Sequence, residues 1–95
     1  MAQQLRAALI ILRRKQVEAE SGYSRSTIYL RISQGLWPRP IALGARAVGW
    51  PAGEVLAMNA ARIAGKTDAA IRMLVSQLEC ARKTASADEA THEQA

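Results

Sequence analysis

Phenylalanine is missing from the chain, and two tryptophans and two tyrosines are its only aromatic residues. The volume of a hydrophobic core must therefore come from leucine, isoleucine, valine and alanine. A chain of 95 residues folds as one domain at most and buries only a modest part of its surface. We therefore expect Trp37 and Trp50 to matter more to the fold than tryptophans do in an average domain.

Cysteine is almost as scarce, because Cys80 stands alone. One cysteine cannot form an internal disulfide or supply the ligand cluster of a zinc site, so we expect a reducing, cytoplasmic compartment. No run of about 18 apolar residues, the length that spans a membrane, is present. Apolar residues 7–12 precede a basic cluster rather than a cleavage site of small residues, which is atypical of a signal peptide. We expect no membrane partner.

Groups that could catalyse a reaction or hold a cofactor are missing in the same way. His92 is the single histidine, and the carboxylates of Glu18, Glu20 and Glu54 have no histidine or cysteine beside them in the sequence. No glycine-rich loop opens a helix, as a phosphate-binding loop does. We therefore expect no catalytic residue, no metal site, no cofactor and no enzymatic activity.

Positive charge is what the sequence has in excess, with a net charge of +5. Residues 1–50 contain eight basic and two acidic side chains, a balance of +6, whereas residues 51–95 contain five basic and six acidic ones, a balance of −1. A basic half of this kind is typical of nucleic-acid-binding proteins. Composition alone leaves an ordinary soluble surface as the alternative, so the positions of the charges decide.

Two short helices in the basic half have the spacing of a helix-turn-helix. Residues 15–20 favour a helix that Gly22 ends, since glycine readily takes the left-handed conformation of a helix end. Ser24 is a favourable N-cap for a second helix, which should run from Arg25 to about Gln34. In a helix-turn-helix the second helix enters the major groove of DNA.

A β-hairpin is predicted directly after this second helix. Pro38 and Pro40 exclude a helix, and the pattern of residues 41–43 favours a strand. Gly44 and Ala45 then suit a two-residue type II′ turn, which prefers glycine at its first central position, and residues 46–50 should return as the second strand. Such a hairpin is the wing of a winged helix-turn-helix.

The remaining sequence predicts a short first strand, two further helices and loose ends. Residues 10–13 are apolar and compatible with a strand. A third helix should run from Pro51 to about Ala64, and Thr67 can cap a fourth over residues 68–83. We expect a flexible N-terminus over residues 1–9 and, because they are small, polar and acidic, a disordered tail over residues 84–95.

Four stretches of the sequence form an ordered set of motifs. They are ILRRKQVE over residues 11–18, SRSTIYLRISQG over residues 24–35, WPRPIALGARAVGW over residues 37–50, and Glu54 with Val55. Together they resemble the AlpA family of phage-derived regulators. The resemblance implies a winged helix-turn-helix of the excisionase and MerR-like kind over residues 10–66. The expected fold is thus mainly α with a small β-hairpin wing, an α+β class, plus an extra C-terminal helix.

The resemblance also implies a DNA-binding function on a mobile element. The first hypothesis is an excisionase, or recombination directionality factor, that binds and bends attachment-site DNA in several copies and has an integrase as a possible partner. An activator or repressor of neighbouring mobile-element genes is the alternative. A third hypothesis is a protein-interaction adaptor, against which the basic residues argue.

The second helix carries the residues that we expect to contact DNA. On a helical wheel Ile28 and Ile32 share one face, which should pack on the first helix, while Leu30 belongs clearly to no face. Groove-facing helices contact bases from their N-terminal residues. The candidates are therefore Ser24, Arg25, Ser26, Thr27, Tyr29 and Arg31.

Two arginines of the hairpin are the candidate wing contacts. Arg46 lies beside the turn, and Arg39 lies near the base of the wing. The narrow minor groove of DNA concentrates negative potential and attracts an inserted arginine. The alternative for Arg46 is an ordinary charge at a sheet edge, where it discourages aggregation. Val48 and Trp50 are expected in the core.

The fourth helix carries an apolar stripe at helical spacing. The stripe could complete the core of its own domain or contact a neighbouring protomer. Since residues 10–66 already form a winged domain by the resemblance, we expect a contact that joins copies of the protein along DNA. Its predicted members are Ile71, Leu74, Val75 and Leu78.

Overall fold

The structure, a computed structural model, describes the backbone of residues 9–94 and the side chains of residues 9–83. Its elements are β1 (Ile11–Arg13), α1 (Arg14–Ser21), α2 (Arg25–Ser33), β2 (Ile41–Ala42), β3 (Val48–Pro51), α3 (Ala52–Ile63) and α4 (Asp68–Gln94). The expected α+β class, mainly helical with a small antiparallel sheet, is confirmed. The predicted flexibility of residues 1–8 lies outside the described residues.

The helix-turn-helix forms where local sequence signals place it. Gly22 follows α1 with a φ of 76°, and its N–H donates to the carbonyl of Glu18 at 2.9 Å. The side chain of Ser24 accepts a hydrogen bond from the backbone N–H of Thr27 at 3.2 Å. Both signals act within one helical turn, which is why the sequence predicts the bounds of the two helices well.

The three strands form one antiparallel sheet in the order β1-β3-β2. Leu12 pairs with Trp50, and Ala42 pairs with Val48. The predicted first strand is confirmed, and it extends the hairpin on the far side of β3. Trp50 is fully buried and Val48 packs against the core, as expected.

The turn of the wing differs from the prediction. The N–H of Leu43 donates to the carbonyl of Ala47 at 2.7 Å, so a three-residue connection, residues 44–46, joins the strands. The predicted two-residue type II′ turn is wrong, because it needs a positive φ at Gly44 and Gly44 has none. Arg46 consequently lies in the connection, and the returning strand begins at Val48.

The core forms around the two tryptophans. Trp37 and Trp50 are the largest fully buried side chains, and Ile28, Met58 and Val17 are buried with them. The indole Nε1–H of Trp50 donates to the carbonyl of Pro38 at 2.8 Å. This bond gives a buried polar group its partner and joins the wing to the segment that follows α2.

The fourth helix belongs to this same core. Ile71 and Val75 are only 9% and 6% exposed, and Leu74 and Leu78 pack against the buried cluster. The oligomer contact predicted for these four residues stays a prediction, but their packing on the domain's own buried cluster favours the alternative, in which the stripe completes that core. The winged domain of residues 10–66 would leave part of its own core open without α4.

The backbone of α4 continues to Gln94, past the predicted helix end near Lys83, while the disorder predicted for residues 84–95 stays a prediction. The sequence has no glycine or proline after Gly65, and several alanines follow Lys83. Such a segment offers no signal that ends a helix. In the part of the chain that the structure describes, no helix combines the length and the apolar character needed to cross a membrane.

An ion pair between buried Glu54 and partly buried Arg82 fixes α4 to α3. The carboxylate of Glu54, which is 7% exposed, accepts hydrogen bonds from Nη2 and Nε of Arg82 at 2.6 Å and 2.7 Å. The hydrogen bonding to Glu54 raises the pKa of Arg82 above its ordinary value. Nη2 of Arg82 also donates to the carbonyl of Arg39 at 2.7 Å, so one guanidinium joins three segments.

Replacing Arg82 should destabilise the fold through the charge that it leaves behind. Removal of one partner from a buried ion pair typically costs about 3–5 kcal/mol, so Arg82→Met should lower the free energy of unfolding in urea by about 3 kcal/mol. The double variant Glu54→Leu/Arg82→Met should regain most of the loss. Lys83→Met, which removes an exposed basic residue of the same helix, is the control. Equal stability of the single and double variants would contradict the argument.

Candidate nucleic-acid interface

Helix α2 presents one apolar face to the core and the opposite face to solvent. Ile28 is fully buried, and Ile32 packs against the core cluster. On the opposite face Tyr29 and Leu30 are 39% and 54% exposed, and both serines of the helix are exposed beside them. No acidic residue occurs in Arg25–Ser33, so nothing on the helix itself repels a phosphate backbone.

The start of α2 combines a fixed cap with an exposed guanidinium. The hydroxyl of Ser24 donates to Oγ1 of Thr27 at 2.9 Å, and Oγ of Ser26 lies 3.3 Å from Oγ of Ser24. These hydroxyls hold the first turn in place. Arg25 is exposed and, within residues 9–83, its side chain forms no ion pair or hydrogen bond. Its donors are therefore available to a ligand.

Arg31 lies apart from the exposed face of α2. Its guanidinium carbon is 5.9 Å from the ring centroid of Tyr23, and Nη1 donates to Oε1 of Gln34 at 3.3 Å. The side chain is half-buried beside the turn. Of the six predicted residues, Ser24, Arg25, Ser26 and Tyr29 are exposed, whereas Thr27 and Arg31 are half-buried and Arg31 is occupied by internal contacts.

Arg39 lies beside α4 and not beside the wing turn. Its N–H donates to Oε2 of Glu79 at 2.8 Å, and its carbonyl accepts from Arg82. Its exposed side chain shares a groove with Trp37 and Glu79. Arg39 does lie near the base of the wing, as predicted. The negative carboxylate of Glu79 beside it, however, reduces the positive potential around Arg39.

Four basic side chains from three segments line one groove between the start of α1 and the wing. They are Arg13, Arg14, Lys15 and Arg46, together with Val48. Arg13 ends β1 opposite Gly49 in the sheet, which brings the start of α1 to the wing. From the sequence alone, Arg13, Arg14 and Lys15 counted only toward the net charge of the basic half. The signal that could have found them is the RRK triplet directly after a strand that pairs with the wing.

The basic side chains of this groove differ in their internal partners. Arg14 forms an ion pair with Glu18 one helical turn away. Lys15 and Arg46 are exposed, and no carboxylate within residues 9–83 forms an ion pair with either. A multivalent anion such as a nucleic-acid backbone would find uncompensated charge on both sides of the groove.

The turn between α1 and α2 is held by cationic and aromatic contacts. The guanidinium carbon of Arg62 lies 4.0 Å from the ring centroid of Tyr23, and the Tyr23 ring meets Trp37 edge-on at 5.6 Å. Arg62 also donates to the carbonyl of Ser21 at 2.7 Å, and Asn59 donates to that of Glu20 at 2.9 Å. Helix α3 thereby satisfies the free carbonyls at the end of α1 and fixes the turn.

Comparisons with known proteins found a protein family and a phage protein to which this chain is similar. A family model described as "Prophage CP4-57 regulatory protein (AlpA)" matches residues 10–59. A protein of Enterobacteria phage P4, named "Uncharacterized protein ORF88", is 46% identical over 55 residues, which cover 58% of this chain and 62% of that protein. The chain thus spans less than two thirds of that relative. No solved structure matches the chain.

The contact between β1 and the wing depends on the absence of a side chain at Gly49. A Cβ there would lie 2.5 Å from Cγ2 of Ile11 and 3.0 Å from the carbonyl oxygen of Leu12. Overpacking of this kind typically costs about 1–3 kcal/mol, so Gly49→Ala should lower the thermal midpoint. The control is Gly44→Ala, since a Cβ at Gly44 meets nothing within 4 Å. Equal midpoints for the two variants would contradict this account.

Proposed function

Because the chain belongs to the AlpA family of prophage regulatory proteins, we propose that it binds duplex DNA sequence-specifically, with α2 in the major groove and the wing on the adjoining backbone. The observation that carries the proposal is the groove of Arg13, Arg14, Lys15 and Arg46. Its charges come from both the first helix and the wing, as expected of a surface that follows a phosphate backbone.

The residues of α2 have different roles in this proposal. Arg25 forms a bidentate contact with a base edge or holds a phosphate, and Ser26 and Tyr29 bind phosphate oxygens. The hydroxyls of Ser24 and Thr27 serve first as the helix cap. Arg31 is a less favourable DNA contact than the sequence predicts, because its side chain would have to give up its contacts with Tyr23 and Gln34.

The wing contact is Arg46. It is exposed in the three-residue connection, from which its side chain can enter a minor groove or reach the flanking phosphates. Arg39 supports binding weakly in this proposal, since its neighbour Glu79 reduces the local positive potential.

Control of excision is the biological role that we propose first: the protein binds attachment-site DNA, bends it and directs an integrase of the same mobile element toward excision. Transcriptional regulation of neighbouring genes is the second candidate, and the family's description as a regulatory protein favours it. A protein-interaction adaptor is a third, and the exposed Lys15 and Arg46 of the basic groove, which form no ion pair within residues 9–83, argue against it. An in vitro excision reaction with the integrase, with and without this protein, separates the first role from the others.

Binding to duplex DNA should weaken as salt rises, with a slope set by the groove. Each phosphate contact contributes about 0.9 to the slope of log affinity against log salt concentration. Lys15→Ala/Arg46→Ala should therefore reduce the slope by about 1.8, as measured by fluorescence anisotropy. Lys66→Ala/Lys83→Ala removes the same charge from exposed positions on other elements and is the matched control. The same reduction in both variants, or salt-independent binding, would contradict the proposed surface.

Arg25 should distinguish sequences, whereas Arg13 should not. A good base-edge contact is worth about 1–3 kcal/mol of discrimination, so Arg25→Ala should lose about that much affinity for a duplex selected from a random library and little for random duplex. Arg13→Ala should weaken both to a similar extent. If Arg25→Ala also weakens both equally, Arg25 contacts only the backbone.

A further inference from the structure

Leu30 is the most exposed apolar side chain of α2, at 54%. It lies near the middle of the helix, on the side away from buried Ile28, and it takes no part in the core cluster. Isolated exposed leucines are common on protein surfaces and need no explanation by themselves. What distinguishes Leu30 is its place on the solvent-exposed side of α2, at the edge of the face that we propose to enter the major groove.

The polar neighbours of Leu30 restrict what this face can read. The hydroxyl of Ser33 donates to the carbonyl of Leu30 at 2.6 Å, so its hydrogen is used within the helix. Ser26 lies beside the capping hydroxyl of Ser24. Beside Leu30 the helix therefore offers an apolar surface that is bordered by the hydroxyls of Ser26 and Ser33.

The 5-methyl group of thymine is the apolar group that base edges present in the major groove. We propose that Leu30 is a specificity-determining residue that packs its side chain against a thymine 5-methyl group. The inference rests on the proposed function, because it requires α2 to lie in the major groove. The proposed surface is otherwise described by its charge. Leu30 adds to it one residue that recognises a base through an apolar contact.

Charge decides between DNA and an apolar protein partner as the occupant of this face. Helix α2 carries two arginines and no carboxylate, and the groove beside the wing adds four more basic side chains. A protein partner would have to be strongly acidic around an apolar centre. Duplex DNA provides the same combination in every thymine-containing major groove, where methyl groups lie between two rows of phosphates.

The test removes one methyl group from the DNA and one side chain from the protein. A duplex is first selected from a random library with the unaltered protein, and each thymine is then replaced in turn by deoxyuridine, which lacks the 5-methyl group. Loss of one buried methyl contact corresponds to about a fourfold change in affinity. We expect this loss at one or two thymines for the unaltered protein and none at those positions for Leu30→Ala.

Two features keep the test interpretable. Alanine is the best helix former, and Leu30 makes no core contact, so Leu30→Ala should remain folded. Leu56→Ala removes another exposed leucine, 60% exposed on α3, and should keep the sensitivity to deoxyuridine. Equal binding of the unaltered protein to thymine and deoxyuridine duplexes would overturn the proposal, and so would a sensitivity that Leu30→Ala retains.

The proposed DNA binding and the proposed role of Leu30 can be refuted by different results. Salt-dependent binding that ignores the methyl group refutes only the role of Leu30, whereas no duplex binding at any salt concentration refutes DNA binding and the role of Leu30 together. Leu30→Ala that binds every duplex like the unaltered protein would show that Leu30 makes no contact with DNA and would overturn the inference.

Discussion

The hydrogen bond from Trp50 to the carbonyl of Pro38 is the contact on which the geometry of the proposed interface depends. It joins β3, the central strand, to the segment that leaves α2. Trp37, one residue before Pro38, packs edge-on against Tyr23 in the turn. Helix α2 and the wing are therefore fixed to one core by two tryptophans, and neither can move far without exposing an indole.

Helix α4 stabilises the same segment from outside. Glu79 accepts from the N–H of Arg39, and Arg82 donates to its carbonyl while it neutralises buried Glu54. The helix is thus a structural part of the winged domain. Self-association along DNA stays a prediction, and a contact through the apolar stripe would have to use the parts of Leu74 and Leu78 that the core leaves exposed.

Local signals allowed the helix-turn-helix to be predicted, and long-range contacts account for what was missed. Caps such as Ser24 and Gly22 act within a turn of their own helix. The basic groove depends on the pairing of β1 with β3, which are more than thirty residues apart. The surroundings of Arg39 depend in the same way on Glu79. The apolar stripe of α4 was ambiguous for another reason, because its periodicity suits a core and an interface equally well.

The charge of the basic half is consequently a poor guide to its DNA-binding surface. Arg14 pairs with Glu18, Arg31 donates to Gln34 beside Tyr23, and Arg39 lies in a groove with Glu79. Internal partners thus reduce what these arginines offer to a ligand. Within residues 9–50, the basic side chains that have no such internal partner are Arg13, Lys15, Arg25 and Arg46. A surface of so few charges holds the backbone only moderately, so specific binding requires contacts of another kind on the exposed face of α2.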